Sequence, residues 1–148
     1  MDFDWLIIDG YNLMHQDGRP DDLQTARQRL VRQIEQTASG MARKITVVFD
    51  GREGGRDVAF DAPNFEVIFS PSNRTADGLI EQIVHDAKKP ERILVVTSDW
   101  TEQRLVSVFG ASVISCREFL LRCEAPAVAS RKSKSPVRGS KLGDFFPD

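Results

Sequence analysis

Three apolar runs in the sequence lead into an aspartate: LIID at Asp9, VVFD at Asp50 and VVTSD at Asp99. A fourth carboxylate, Asp77, stands in the word TAD at the start of a helical pattern, and Glu81 follows four positions later on the same helix face. If the runs are parallel strands, these acids meet at one sheet edge. Like charges gathered there repel one another, raise some pKa values and destabilise the empty fold unless a cation neutralises them. Hard oxygen ligands suit Mg²⁺ or Mn²⁺, which keep waters, acidify one of them and neutralise charge on a phosphodiester undergoing hydrolysis. Asp9, Asp77 and Asp99 are the candidate catalytic and metal-binding residues. Asn12, Asp50, Glu81, Thr97 and Ser98 are supporting candidates: a neutral amide, two further acids and two hydroxyls beside Asp99.

Each residue also has a purely structural reading. Asp77 could be an acid favoured by the helix dipole, Asp50 before Gly51 a turn aspartate, and Asp99 the cap of a helix starting near Thr101. Asn12 could be a turn residue in the loop after the first strand. Asp9 resists such a reading best, because it ends the most apolar run and is followed by Gly10, Tyr11 and Asn12. The convergence of several acids at one edge carries the argument.

The elements that would position them alternate. Strands are expected at 5–8, 45–49, 65–69, 93–97 and 112–114. Leu23, Ala26, Leu30, Ile34 and Ala38 form one helix stripe closed by Gly40 as cap. Thr75 caps a helix with Leu79, Ile80, Ile83, Val84 and Ala87 facing inward, which stops before Pro90. A third helix spans about 101–109 and ends at Gly110, and Ser115 with Glu118 has capping-box spacing for a last helix through Phe119, Leu120 and Leu121. Strands separated by helices imply right-handed crossovers and a mostly parallel sheet covered on both faces, with ligands at the carboxyl ends of the strands. The connection GREGGRDVAFDAPN has no helical period and is expected to be a loop.

The length of 148 residues, 41% hydrophobic and 28% charged, fits one core. Residues 125–148 hold five bases against two acids, a charge of +3, which leaves −5 of the net −2 on residues 1–124. One folded domain over 1–124 and a basic, disordered tail over 125–148 ending in KLGDFFPD are therefore expected. The tail is either a solubiliser or a tether for phosphates. The acidic start lacks the basic region of a signal peptide and no apolar run reaches the roughly 20 residues of a membrane span, so a cytoplasmic protein is expected. Cys116 and Cys123 lie about two turns apart on one helix, beyond disulfide reach, and no cysteine or histidine cluster has zinc-site spacing.

The words IIDGYNL, VVFDG, TADGLIE, VVTSD and GASVISCREFL, in this order and spacing, resemble the YacP-like branch of the NYN domain family of PIN-like nucleases, from about Trp5 to Cys123. The resemblance implies a PIN-like three-layer fold, a five-stranded, mostly parallel sheet between helices, and metal-dependent endoribonuclease activity with Mg²⁺ or Mn²⁺. It points to Asp9, Asn12, Asp50, Asp77 and Asp99 as site positions, with Glu81 as a supporting acid. The position after Asp77 is often acidic in that family and is Gly78 here. Trp100 stands after Asp99, where its indole could stack on a splayed RNA base or pack internally. Arg52, Arg56 and Arg74 lie in loops near the acidic edge and could meet phosphates.

A dinucleotide-binding site is excluded, because DGYNLM lacks GxGxxG, and an aspartyl-nucleophile phosphatase would want an aspartate where Tyr11 stands. The rival reading is a non-catalytic RNA- or ribosome-binding adaptor with a weakened site, favoured by Gly78 and the basic tail. The expected partner is RNA, with the ribosome as a further one, and the expected state a monomer or weak homodimer.

Overall fold

The computed structural model describes residues 3–17, 22–51 and 62–124. Five strands, β1 (Phe3–Asp9), β2 (Ala42–Phe49), β3 (Phe65–Phe69), β4 (Ile93–Val96) and β5 (Ser112–Ile114), form one sheet in the order β3-β2-β1-β4-β5. Every pairing between them is parallel. The expected strands are all present. β1 and β2 begin earlier than their apolar runs, and β4 stops one residue before Thr97.

Helices α1 (Gly10–Met14), α2 (Leu23–Thr37), α3 (Ala76–Asp86), α4 (Trp100–Val108) and α5 (116–124) cover the two faces. Strand alternation sorts the core. Leu6, Ile8, Val47, Phe49, Leu94 and Val96 pack toward α2 residues such as Ile34 and α5 residues such as Phe119. Ile7, Val48 and Val95 pack toward Ile80 and Val84 of α3 and Val106 of α4. The parity continues to Asp9, two residues beyond Ile7, so Asp9 belongs to the α3 and α4 face. Residue pairs between β1 and β4 end at Ile8 with Val96, which leaves Asp9 and Thr97 at the point where the strand order reverses.

Several local expectations are met and several are corrected. Thr75 caps α3 through its hydroxyl, which accepts from Gly78 N at 3.0 Å. Ser115 caps α5, accepting from Glu118 N at 3.1 Å, while Glu118 turns outward to Arg122 at 2.9 Å instead of completing the box. Leu121 is exposed, because the buried stripe of α5 runs through Cys116, Phe119 and Cys123. Both cysteines are free and buried. The segment after β1 is a short helix, not a plain loop, because the Asp9 carboxylate accepts from Asn12 N at 3.2 Å and starts it. Gly40 is not the cap of α2: Ala38 ends that helix, and among the described glycines only Gly110 has a positive φ, 108°, at the end of α4 as expected. The loop 52–61 with Arg52 and Arg56, and the tail with its KLGDFFPD end, lie outside the described residues.

Gly10 is required by packing. A Cβ there would overlap the ring of Phe49, which also meets Tyr11 edge-on at 5.1 Å. Gly10→Ala should lower stability by about 1–3 kcal/mol in urea unfolding, as overpacked cores do. Gly40→Ala, with open space around it, should be neutral or stabilising by up to about 1 kcal/mol. Equal stabilities for the two variants would contradict this packing.

Candidate active site

Asp9, Asp77 and Glu102 converge where β1 ends and α3 and α4 begin. One carboxylate oxygen from each lies within 4.8 Å of the others. Asp9 and Glu102 are 5% and 1% exposed, so both acids are effectively out of water. No donor among the described residues meets either oxygen of Glu102 in good hydrogen-bond geometry, although Thr97 and Asp9 act on it. A poorly satisfied buried carboxylate is costly, and a hard divalent cation among the three acids would resolve it. The donor set fits such an ion: oxygen only, three carboxylates, one partly open to solvent.

The ionisation of the group follows from its burial. Asp9 is pushed up to about 7, first by loss of water and then by the Asp77 carboxyl beside it, against a small pull from Asn12 N–H. Glu102 is pushed up to about 9 by desolvation, with the charges of Asp9 and Asp77 adding to it. Glu81 on α3 is also raised, by desolvation and then by the charges of Asp77 and Asp99.

Sequence reasoning missed Glu102. Its signal was the spacing Asp99-x-x-Glu102, a capping box in which the glutamate ordinarily bonds back to the cap's own N–H. Here Asp99 caps α4, its Oδ1 accepting from Thr101 N at 2.9 Å and Glu102 N at 3.2 Å. Asp99 N–H, however, donates to Thr97 Oγ1 at 3.1 Å. With that donor taken, Glu102 is released from the box and turns into the acidic group.

The other expected residues fall into place around this trio. Asn12 Oδ1 accepts from Ser98 N at 2.5 Å and from the Cys116 thiol at 3.2 Å. Both lone pairs are occupied, so only its NH₂ remains to face a ligand. Burial pushes the Cys116 thiol up to about 11, which keeps it a donor. Ser98 Oγ accepts from Cys116 N at 3.1 Å, so Asn12 and Ser98 tie α1, the end of β4 and α5 together. Asp50 follows β2, one strand from Asp9, and is half-buried; the trio forms without it. Gly78 places no acid in the group, and a Cβ there would press on Thr75 Oγ1 at 3.3 Å. Arg74 has its stem near Gly78, and its charge is felt at Asp86. Trp100 is 66% exposed, which removes the internal-packing reading.

A five-stranded parallel sheet with buried carboxylates at its switch point is the architecture of PIN-like, nuclease-type α/β domains. The chain belongs to the YacP-like NYN domain family, whose profile matches residues 6–142. It is 32% identical over 128 residues to the protein YacP of Bacillus subtilis (strain 168), covering 82% of this chain and 75% of that protein. The crystal structure of Rae1 (YacP) from Bacillus subtilis matches with TM-score 0.65 and 31% identity over 92% of this chain and 84% of that one. Its W164L mutant matches with TM-score 0.68 and 28% identity, covering 95% and 87%. Membership supports a nuclease-type, RNA-related function. No helix among the described residues is long and apolar enough to cross a membrane.

The raised carboxyls set a pH dependence. Asp9 and Glu102 titrate near 3.8 and 4.5 when unperturbed and near 7 and 9 in the fold. Between those values the folded chain holds protons that the unfolded chain has released, so stability falls as pH rises. In EDTA, urea unfolding should therefore show the chain losing stability from pH 5 to pH 9, by up to about 1.4 kcal/mol per pH unit for each proton. Glu102→Gln should flatten the fall above pH 7. A profile that rises over this range would overturn the burial argument.

Proposed function

We propose that this chain is a divalent-metal-dependent endoribonuclease whose cation is held by Asp9, Asp77 and Glu102. The observation that carries the reading is the buried Glu102 carboxylate, without a donor in good geometry, facing two aspartates at the switch point of the sheet. Mg²⁺ or Mn²⁺ bound there supplies Lewis acidity toward a phosphodiester and its attacking water.

The chain's own residues do the rest. Asp9, fixed at the end of β1 and bonded to Asn12 N, gives the group its rigid inner ligand. Glu102 enters from the first turn of α4, which Asp99 holds in place by capping it. Asp77, half-exposed on the first turn of α3, stands on the open side from which a substrate phosphate approaches. Asp99 and Glu81 extend the acidic rim beyond it, and the Asn12 NH₂ is oriented by the two bonds that its oxygen accepts. Burial of Asp9 and Glu102 excludes water from one side of the group, which strengthens every charge interaction inside it. RNA is the substrate class that family membership supports.

The adaptor reading took its support from Gly78 and from the basic tail, which lies outside the described residues. Glu102 supplies the acid that position 78 lacks, which favours catalysis. Purified protein should cleave RNA with Mn²⁺ or Mg²⁺ and stop in EDTA. Asp9→Asn, Asp77→Asn and Glu102→Gln should each lower the single-turnover rate by about 100-fold or more, a loss of roughly 2.7 kcal/mol of barrier lowering. Asp99→Asn keeps a good helix cap and should retain more activity than any of the three. Undiminished cleavage by Glu102→Gln would refute the assignment, and RNA binding without metal-dependent turnover would establish the adaptor instead.

A further inference from the structure

The chain has two tryptophans, and the fold treats them oppositely. Trp5 packs against the core, donates its indole N–H to Thr46 Oγ1 at 2.9 Å and lies under the Lys44 ammonium at 4.5 Å. Trp100 joins neither hydrophobic cluster and is 66% exposed. An indole is the side chain with the most to gain from burial, so an exposed one held in a fixed place marks a contact surface. It is held in place: Arg104, one helical turn on, sets its guanidinium over the ring at 4.8 Å. One face of the indole is thereby covered by a cation, and the exposure leaves the other open.

The position adds a direction. Trp100 is the first residue of α4, one after the cap Asp99 and two before Glu102. Two residues on a helix are about 200° apart, so Trp100 points away from the acidic trio across a helix roughly 10 Å wide. A strand of nucleic acid with a phosphate at the trio could set a neighbouring base, and not the scissile nucleotide, on the indole. The edge is acidic and repels a polyanion. A ring that grips a base by stacking adds affinity without needing further phosphate contacts, and Arg104 contributes the local positive charge.

We propose that Trp100 and Arg104 form a stacking platform for an unpaired RNA base flanking the scissile phosphate, so that the preferred substrate is single-stranded at that point. This rests on the ribonuclease reading of the adjoining site. The test is binding of a short, fluorescein-labelled, single-stranded oligoribonucleotide to the full chain by anisotropy in EDTA, where turnover is absent. Trp100→Ala should weaken binding about 5- to 100-fold, the range of one lost base stack. Trp100→Phe should restore most of it, and Arg104→Ala should give a smaller loss. With a base-free strand of the same length, wild type and Trp100→Ala should bind alike.

Unchanged binding by Trp100→Ala, or an equal loss on the base-free strand, would overturn the platform. So would unchanged RNA binding together with an altered sedimentation coefficient for Trp100→Ala, since the indole would then be a protein contact. The same preparations assayed with Mn²⁺ separate the two readings. Wild-type cleavage with no effect of Trp100→Ala on KM would remove the platform alone. A base-dependent effect on binding with no cleavage by wild type would leave the platform and remove the nuclease. Trp100 is a surface residue, so unchanged melting of the variants confirms that binding alone is altered.

Discussion

The structure turns on one electrostatic tension: two carboxyl groups, Asp9 and Glu102, are buried within reach of each other and of Asp77. Burying a charge without a partner is among the most costly things a fold can do, and here two acids share the cost by staying protonated far above their ordinary range. The apolar packing on both faces of the sheet is what tolerates it. Leu6, Ile7 and Ile8, all fully buried, lead directly into Asp9, so the acid cannot withdraw to solvent without disturbing the central strand.

Small devices around the acids hold them in the group. Thr97 takes the Asp99 N–H, which frees Glu102 from a local capping role. Asn12 accepts from both Ser98 and Cys116, locking the short helix that Asp9 starts against the neighbouring strand end. Phe49 occupies the space where residue 10 would carry a side chain, which draws α1 down onto β2. These contacts are structural in kind, yet their common result is a rigid set of acids in which a cation could take the place of the protons.

The fold was legible in the sequence because its signals are local. Apolar runs of strand length, the α2 stripe, Thr75 and Ser115 all act within a few residues, and each appears where expected. The site was legible in part. Asp9 and Asp77 could be read from strand ends and a helix start. Glu102 could not, because its spacing from Asp99 matches an ordinary capping box, and only the tertiary placement of Thr97 shows that the box is open. Asp99 stands after β4 as expected but lies outside the trio, and the competing reading as a helix cap is the one its hydrogen bonds display. Asn12 looked like a ligand-facing amide, and the contacts that occupy its oxygen come from residues 86 and 104 positions away. Gly40 failed as a cap because α2 ends earlier, at Ala38, without a left-handed residue.

The central claim is that Asp9, Asp77 and Glu102 together form one cation site. Calorimetric titration of the full chain with Mn²⁺ tests it most directly, before any substrate is involved. The account predicts saturable binding by wild type and at least a tenfold loss of affinity in Glu102→Gln. Binding of equal strength in the two proteins, or none in wild type, would contradict it.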